Sequence, residues 1–342
     1  MIRLFYYAFF ASSSLFLLYA CTKSTSTTPT VGNWVNRFDA DFSSRTEAVS
    51  FTIGDTAFVG TGYDGTNTLN DFWKLTVSAT GTDFHWVQLA SLPLSAARTS
   101  AVGFGTATRG YISTGKAADA ATRLNDTWEY NPATNSWTQK ANFGGTPRYD
   151  AVAFSINNKG YITTGYDGNY TKDFWVYDPG ADNWTQLAGF SGFKRSQAVA
   201  FVYQNKAYVC TGVDNTVYPN DFWVYDPTAG SWTQKRSISN VSTETYDDAY
   251  SSITRANGAS FVMNDKAYLC TGQQGSLYKN VWEYDFASDL WVLKTDFEGG
   301  TRTGAVGFSI QKRGFLTSGN VSSQVFSDFW EFHPFEAYNA ND

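Results

Sequence analysis

Apolar and polar residues alternate along this chain in short runs, and turn-forming residues separate the runs. Between Arg148 and Trp184, RYDAVAF alternates, GYITTG follows an Asn-Asn-Lys turn, and DFWVY precedes the turn DPGADN. Alternation bounded by Gly, Pro, Asn and Asp predicts β-strands joined by hairpins. Outside the first 20 residues, no segment has the 3.6-residue apolar period of a helix. Each unit therefore predicts a four-stranded antiparallel sheet.

The unit recurs six times at intervals of about 50 residues, as its landmark residues show. An arginine begins each first strand, at Arg45, Arg98, Arg148, Arg195, Arg255 and Arg302. Each second strand ends on a glycine, at Gly62, Gly115, Gly165, Gly212, Gly272 and Gly319. The twelve tryptophans form a third-strand set and a fourth-strand set, at Trp73, Trp128, Trp175, Trp223, Trp282 and Trp330, and at Trp34, Trp86, Trp137, Trp184, Trp232 and Trp291. A repeat of this length indicates blades around an axis.

The position of Trp34 predicts how the ring of blades closes. Trp34 matches the fourth-strand tryptophans but precedes the first arginine, and no such tryptophan follows Trp330. The N-terminal segment should therefore supply the outer strand of the last blade, beside the C-terminal strand. This pairing removes the open edge between the first and last blades. The predicted fold is all-β: a six-bladed β-propeller of four-stranded blades.

The repeat resembles the kelch repeat along the whole chain after the N-terminal segment. Kelch units carry a glycine-rich end to strand two, then a Tyr and a Trp at fixed spacing. Here the fourth-strand tryptophans match, as do Tyr130, Tyr177, Tyr225 and Tyr284. The departure is the first residue of the family's double glycine, which is Thr or Ser here, as in Thr164-Gly165. The chain is similar to the divergent, galactose-oxidase-like kelch propellers of bacterial lipoproteins.

The N-terminal segment resembles a lipoprotein signal peptide. Arg3 precedes the largely apolar run Leu4 to Leu18, and Leu18-Tyr19-Ala20-Cys21 ends it, although Tyr19 is large for its place. An ordinary signal peptide and an uncleaved anchor are the alternatives. We expect a signal peptide at 1–20, a Ser/Thr-rich tether at 21–30 and the propeller at 31–342. Lipidation of Cys21 would anchor the protein in the cell envelope, at its periplasmic face or at the cell surface.

The charge of the chain limits the classes of partner that it can bind, and its cysteine content bears on disulfide formation. The formal net charge is −6 and no Lys/Arg cluster occurs, which disfavours nucleic acid. Cys210 and Cys270 occupy the same repeat position, either as buried thiols or as a disulfide, although strands in adjacent blades usually lie too far apart for one. We expect a monomer whose membrane attachment is the lipid on Cys21.

The loops after strands two and four share one end of the ring, the loop face, and the short turns share the opposite turn face. Loops on a rigid scaffold commonly carry function. The six first-strand arginines lie at the loop face, where they could bind an anionic ligand such as a carboxylate. They could instead pair with residues just before strand three, namely Asp71, Asp126, Asp173, Asp221, Asn280 and Asp328. The kelch resemblance implies arginine–ligand contacts in some blades, and Asn280 would leave Arg255 less neutralised.

The longest insertion, from Arg236 to Thr254, supplies a second group of candidates. It contains the candidate ligand-binding residues Glu244, Tyr246, Asp247 and Asp248. Carboxylates beside aromatic rings suit a sugar or a calcium ion, but an acidic surface loop without a role is the alternative. We expect no metal and no cofactor.

The favoured function is a non-catalytic, envelope-tethered propeller that binds a glycan or a peptide or protein surface at the loop face. The copper site of galactose oxidase needs two His, and this chain has only His85 and His333, both placed far from the axis. The resemblance also includes periplasmic kelch propellers that act as sugar mutarotases, for which Arg255 with Glu244 could supply acid–base groups. A structural envelope scaffold is the third reading.

Overall fold

The computed structural model describes residues 30–78 and 80–341. It contains six antiparallel sheets of four strands each. The first strand of every sheet contacts the first strands of both neighbouring sheets, so the sheets form a closed ring around an axis. The predicted six-bladed propeller is confirmed.

Each blade runs outward from the axis through four strands, which follow one another in sequence in blades one to five. In blades one to three these are Val49–Ile53, Thr56–Gly60, Phe72–Val77 and Phe84–Gln88; Val102–Gly105, Gly110–Ser113, Thr127–Asn131 and Ser136–Lys140; Val152–Ile156, Lys159–Thr163, Phe174–Asp178 and Asn183–Leu187. In blades four to six they are Val199–Tyr203, Lys206–Cys210, Trp223–Asp226 and Ser231–Gln234; Ala259–Met263, Lys266–Cys270, Val281–Asp285 and Leu290–Lys294; Val306–Ile310, Arg313–Thr317, Asp328–Ala337 and Val31–Asp39.

The outer strand of blade six comes from the N-terminus, as the position of Trp34 predicted. Val31–Asp39 pairs antiparallel with Asp328–Ala337, and Trp34 lies opposite Phe332. Trp34 is fully buried and packs edge-on against Phe297 at 4.9 Å between ring centroids. The first and last strands of the described residues are thus held in one sheet, which closes the ring.

The two ends of the ring differ in their connections. At the turn face, two residues with positive φ join the first two strands of blade three, Asn157 (φ 52°) and Asn158 (φ 60°). Such two-residue turns match the right-handed twist of the strands they join. The longer connections, after strands two and four, all lie at the loop face, and the longest spans residues 235–258.

Aromatic rings fill the spaces between neighbouring blades. Phe104 stacks on Tyr111 within blade two at 5.0 Å, and Tyr111 meets Tyr177 of blade three at 5.4 Å. Gly160 of blade three lies against Phe104, since a Cβ there would come within 2.1 Å of its ring. The glycine lets the neighbouring blade insert its ring, which is how the repeat buries its aromatic residues.

Short elements complete the loop face. Two 3-10 helices, Leu94–Ala96 and Thr245–Asp247, lie in loops that follow fourth strands. Two-residue strands form small ladders in the loops, at Arg98–Thr99, Lys116–Ala117, Gln273–Gln274, Ser276–Leu277, Asn320–Val321 and Gln324–Val325. The ladder of Arg98–Thr99 with Lys116–Ala117 ties a loop to the segment before a first strand, whereas the other two ladders are hairpins within one loop.

Both cysteines of the propeller are free thiols. Cys210 and Cys270 end the second strands of blades four and five, and both are fully buried. Burial raises the pKa of each thiol to about 12. The structure therefore gives the thiol alternative rather than the disulfide.

The expected signal peptide, Cys21 and nearly all of the expected tether lie outside the described residues. Among the residues that are described, no helix is long and apolar enough to cross a membrane.

Candidate functional site

The six first-strand arginines lie just beneath the loop face, four residues before the strands themselves begin. None is more than 1% exposed. Each donates an Nη1 hydrogen bond to the carbonyl of the residue before the loop-face glycine of its own blade, as Arg148 does to Thr164 at 3.0 Å. Its Nε–H also donates to the carbonyl two residues earlier, as in Arg148 to Thr146. The guanidinium groups therefore tie the loops of one blade together.

In five blades the arginine also pairs with the aspartate just before the third strand. In blade one, Arg45 Nη1 and Nη2 reach the two carboxylate oxygens of Asp71, both at 2.7 Å. Trp73 Nε1 donates to the same carboxylate at 2.7 Å. This triad explains the Asp-Phe-Trp string, because the arginine and the tryptophan two residues after the aspartate both donate to the aspartate carboxylate. The remaining pairs are Arg98–Asp126, Arg148–Asp173, Arg195–Asp221 and Arg302–Asp328.

Blade five departs from this arrangement, as the sequence indicated. Arg255 donates to the Asn280 side-chain oxygen at 2.6 Å, to the Thr271 carbonyl at 2.7 Å and to the Ser252 carbonyl. Burial without a carboxylate partner lowers the pKa of Arg255 to about 10, so the group stays charged at neutral pH. Every blade therefore keeps its arginine buried and bonded.

This geometry matches the pairing alternative for the arginines. A ligand could reach a guanidinium only by displacing protein partners from a buried group, and a broken buried pair costs about 3–5 kcal/mol. Contact between these arginines and a ligand stays an untested prediction, and the burial of all six side chains disfavours it.

The axial mouth is the opening of the central channel at the loop face. Its rim is formed by the residue two positions after each arginine: Glu47, Ser100, Asp150, Gln197, Asn257 and Gly304. All six have φ between 52° and 63°. Each rim residue donates its backbone N–H to the rim carbonyl of the preceding blade, at 2.9 to 3.4 Å, so six hydrogen bonds close a circle. No sequence pattern pointed to this ring, because its residue types differ from blade to blade.

Two carboxylates occupy the axial mouth, a cavity of about 120 Å³. Glu47 accepts hydrogen bonds from Ser100 Oγ at 2.6 Å and Thr99 Oγ1 at 3.0 Å. Asp150 accepts one from Gln197 Nε2 at 3.1 Å. Burial, together with the negative charge of Glu47, raises the pKa of Asp150 to about 6. Asp150 therefore keeps its proton to a higher pH than an ordinary aspartate does.

A larger pocket, of about 530 Å³, opens at the loop face between blades three and four. We call it the blade 3–4 pocket. The rings of Tyr170, Phe193 and Trp223 line it, and the Phe193 side chain is 62% exposed. Lys172 and Lys194 stand at the same opening. Cavities of about 300–1,000 Å³ with aromatic walls and a few polar groups are typical of small-ligand sites.

A row of tyrosines connects the axial mouth with this pocket along blade three. Tyr149, next to Asp150, lies 5.5 Å from Tyr166, and Tyr166 lies 5.2 Å from Tyr170. All three rings are half-buried. The sequence did not predict this row, whose only signal is three tyrosines in neighbouring loop-face segments.

In the loop of residues 236–254, one of the predicted ligand-binding residues stabilises the loop itself. Asp247 is fully buried and accepts hydrogen bonds from the backbone N–H groups of Val241 and Ser242, at 3.0 and 2.9 Å. Tyr246 packs against Tyr250 at 5.9 Å. The carboxylates of the other two candidates, Glu244 and Asp248, belong to exposed residues. Among the described residues, no hydrogen bond or ion pair joins this group to the six first-strand arginines.

Neither histidine lies near the axis. His85 is on the outer strand of blade one, and His333 is on the third strand of blade six, where it contacts Glu331 and Glu336. Within residues 30–78 and 80–341, no group of three or more His, Cys, Asp or Glu side chains could hold a metal ion.

Comparison with known proteins identifies the repeat. The family model of the KLHDC2/KLHL20/DRC7 Kelch-repeats domain matches residues 146–319. No curated protein matches the chain. Among solved structures, one described as "Structure of YjhT" is 17% identical, covers 85% of this chain and 95% of its own, and superposes with a TM-score of 0.69. At this identity the likeness is one of fold.

Proposed function

Because the chain belongs to the kelch-repeat family, whose propellers support binding and scaffold roles, we propose that it is a non-catalytic binding protein that recognises a glycan at its loop face. The observation that carries the proposal is the blade 3–4 pocket, with the rings of Tyr170, Phe193 and Trp223 beside two lysines. An apolar ring exposed among hydrogen-bonding groups suits a sugar, which has an apolar face and polar edges.

A peptide is favoured less at this place. Peptides often bind by adding a strand to an exposed sheet edge. At the axial mouth the backbone N–H groups of the rim already serve the circle of hydrogen bonds, and the first-strand segments next to the row bridge to the loops, as Tyr149 does to Tyr166. Binding of a peptide or protein surface is therefore the alternative outcome of the test below.

We further propose attachment to the cell envelope through a lipid on Cys21. The topology supports a useful orientation for such an anchor. Val31 begins the outer strand of blade six opposite Ala337, whereas Asp39 ends it opposite Asp328 at the loop face. The chain thus enters the propeller at the turn face, and a tether from Cys21 would leave the loop face directed away from the membrane.

The test is a glycan and peptide array probed with full-length protein carrying Cys21→Ser, which cannot be lipidated. We expect saturable glycan binding that Phe193→Ala weakens at least tenfold. Phe335→Ala is the matched control, because Phe335 is 71% exposed but lies near the turn face. Peptide binding that depends on Phe193 in the same way would show that the ligand of this site is a peptide and not a glycan. Loss with Phe335→Ala alone would refute a loop-face site.

A second candidate is an acid–base reaction on a sugar, such as mutarotation. It is favoured by one observation: the pKa of Asp150 is raised to about 6 by burial and by Glu47, in a cavity at the loop face. A general acid–base group works best when its pKa lies near the working pH. Anomer exchange of added sugars, followed by NMR, should then accelerate with an inflection near pH 6 and lose the acceleration in Asp150→Asn. An unchanged exchange rate would remove this candidate.

A further inference from the structure

Resting on the proposed function, we infer that blade three carries an elongated site for a linear glycan with acidic sugar units. The site runs along the loop face from the axial mouth, over the tyrosine row, into the blade 3–4 pocket. The linear shape and the negative charge of this ligand both go beyond the proposed function.

The shape follows from the continuity of the aromatic surface. Tyr149, Tyr166 and Tyr170 follow one another at 5.5 and 5.2 Å between ring centroids, and Tyr170 also lines the pocket with Phe193. A single sugar would need only the pocket. Several rings in sequence offer successive stacking surfaces, so affinity should increase with the number of sugar units.

The charge follows from the cations along this path. Lys116 Nζ lies 4.5 Å from the centre of the Tyr149 ring, and the Arg123 guanidinium lies 5.6 Å from that of Tyr166. Lys172 and Lys194 stand at the pocket end. Four cations thus follow one aromatic row on a chain whose formal net charge is −6.

Arg123 is the cation that points most directly to an anion. Its Nε–H is buried yet has no hydrogen-bond partner among residues 30–78 and 80–341. In the same described part of the chain, neither Arg123 nor Lys172 has a carboxylate within 4.0 Å, whereas Lys159 pairs with Asp178 at 2.7 Å. A buried donor without a partner costs free energy that a ligand acceptor can recover. A carboxylate on a sugar would meet the guanidinium through charge-assisted hydrogen bonds.

The acidic residues along the row are already engaged. Asp167 accepts hydrogen bonds from Thr146 Oγ1 and from the Asn169 backbone, which help to lower its pKa although burial opposes this. Asp221 is bound by Arg195 and by Trp223 Nε1. Asp214 lies 3.9 Å from Lys194. The charge of Arg123 also lowers the pKa of Asp167, so among the described residues Arg123 has an anionic neighbour but no carboxylate within 4.0 Å. Its donors, and those of Lys172, are therefore open to a carboxylate of the ligand.

The experiment compares acidic polysaccharides with their own neutral forms. Polygalacturonate, alginate, hyaluronan and chondroitin are tested with Cys21→Ser protein beside the same polymers after chemical reduction of their carboxyl groups, and oligomers of any binder are titrated calorimetrically. We expect at least one acidic polymer to bind at least tenfold more tightly than its reduced form. Affinity for its oligomers should increase from the dimer to the tetramer.

Variants locate the charge recognition. Arg123→Gln and Lys172→Gln should each weaken binding of the acidic polymer at least fivefold and leave binding of the reduced polymer unchanged, whereas Tyr170→Ala should weaken both. Lys159→Gln, at the turn face, is the matched control and should change neither. Thermal unfolding of each variant shows that the fold is retained.

The outcomes separate this inference from the proposed function. Equal binding of acidic and reduced polymers, with loss in Phe193→Ala, would overturn the inference and leave a loop-face glycan site in place. Preference for the acidic forms without any effect of Arg123→Gln and Lys172→Gln would also overturn it. Absence of binding to every glycan would overturn the inference and the proposed function together.

Discussion

Arg255 donates a hydrogen bond to the side-chain oxygen of Asn280 at 2.6 Å, in the place where the other five blades pair an arginine with an aspartate. Asn280 in turn donates its amide to Ser252 Oγ, to which Trp282 Nε1 also points at 3.4 Å. In blade five a neutral network thus replaces the ion pair while the arginine stays fully buried. One chain therefore contains both forms of the same structural element.

Exchanging the two forms by mutation measures how much the ion pair contributes to the free energy of unfolding. Asp71→Asn gives blade one the partner that blade five has. We expect it to lower the free energy of unfolding by about 3 kcal/mol, the low end for a broken buried pair, because Arg45 loses its counter-charge but keeps a neutral acceptor. Asn280→Asp should raise it by about 1 kcal/mol, since Arg255 gains a charge-assisted hydrogen bond. Urea unfolding followed by tryptophan fluorescence provides both values. A loss in both variants would show that blade five is built around the amide.

Replacing Thr164 with glycine should stabilise the folded protein. It lies at φ 64°, a region unfavourable for β-branched residues, and its buried Oγ1 has no hydrogen-bond partner in the described part of the chain. We expect Thr164→Gly to raise the free energy of unfolding by about 1 kcal/mol, although glycine makes the unfolded chain more flexible. The control is Thr163→Gly, which removes the bond from Thr163 Oγ1 to the Asp173 carbonyl and should destabilise. Equal thermal shifts in both variants would contradict the strain argument.

Glu331 should control acid stability. It is 2% exposed and accepts hydrogen bonds from Arg37 at 2.8 Å and Arg313 at 2.6 Å, which join three strands of blade six. Burial opposes its ionisation, but His333, Arg313 and Arg37 outweigh burial and lower its pKa to about 2. Because the folded pKa is below the ordinary value of about 4.5, the stabilisation is complete above pH 4.5 and is lost as the pH falls towards 2.

Glu331→Gln should therefore lower the free energy of unfolding at pH 7 by about 3 kcal/mol, and the difference from the unchanged protein should shrink between pH 4.5 and 2. Denaturant unfolding at a series of pH values measures this. Asp178→Asn, which removes the partner of Lys159 in an exposed pair, is the control and should have little effect at any pH. A difference that stays constant down to pH 2 would exclude the proposed role of Glu331.

Closure of the ring should depend on Trp34. Trp34→Ala removes a fully buried ring that packs against Phe297 and Phe332, and we expect a loss of about 3–5 kcal/mol. Trp137→Ala is the matched control, because Trp137 has the same place on the outer strand of blade two but is half-buried. The variant at Trp34 alone should expose the segment Val31–Asp39 to protease. Equal proteolysis of both variants would argue against a special role for this strand.

The thiols should be unreactive in the folded protein. Cys210 and Cys270 are fully buried and the pKa of each is raised to about 12 by burial, so neither access nor thiolate is present at pH 8. In Cys21→Ser protein, Ellman's reagent should detect no thiol under native conditions and both thiols in guanidinium chloride. Failure to detect them after unfolding would show that they pair with each other.

Local residue patterns were enough to predict the fold. Each blade repeats the same local features: alternating apolar residues, hairpin turns, and an Arg, a Gly and a Trp at fixed places. The position of Trp34 alone indicated that an N-terminal strand completes the last blade and closes the ring. The Arg–Asp pairing was one of two alternatives, since spacing places both residues at the loop face but does not show whether the guanidinium is buried or open.

Sequence by itself thus determined the number of blades, the order of their strands and the face that carries the long loops, because those properties follow from a repeated short-range pattern. Only the tertiary structure decided which side chains meet at the loop face. The circle of backbone bonds around Glu47 and Asp150, the row from Tyr149 to Tyr170 and the pocket beside Phe193 each join residues from separate loops or blades. Such contacts depend on how the blades pack around the axis, and no short-range sequence pattern predicts that packing.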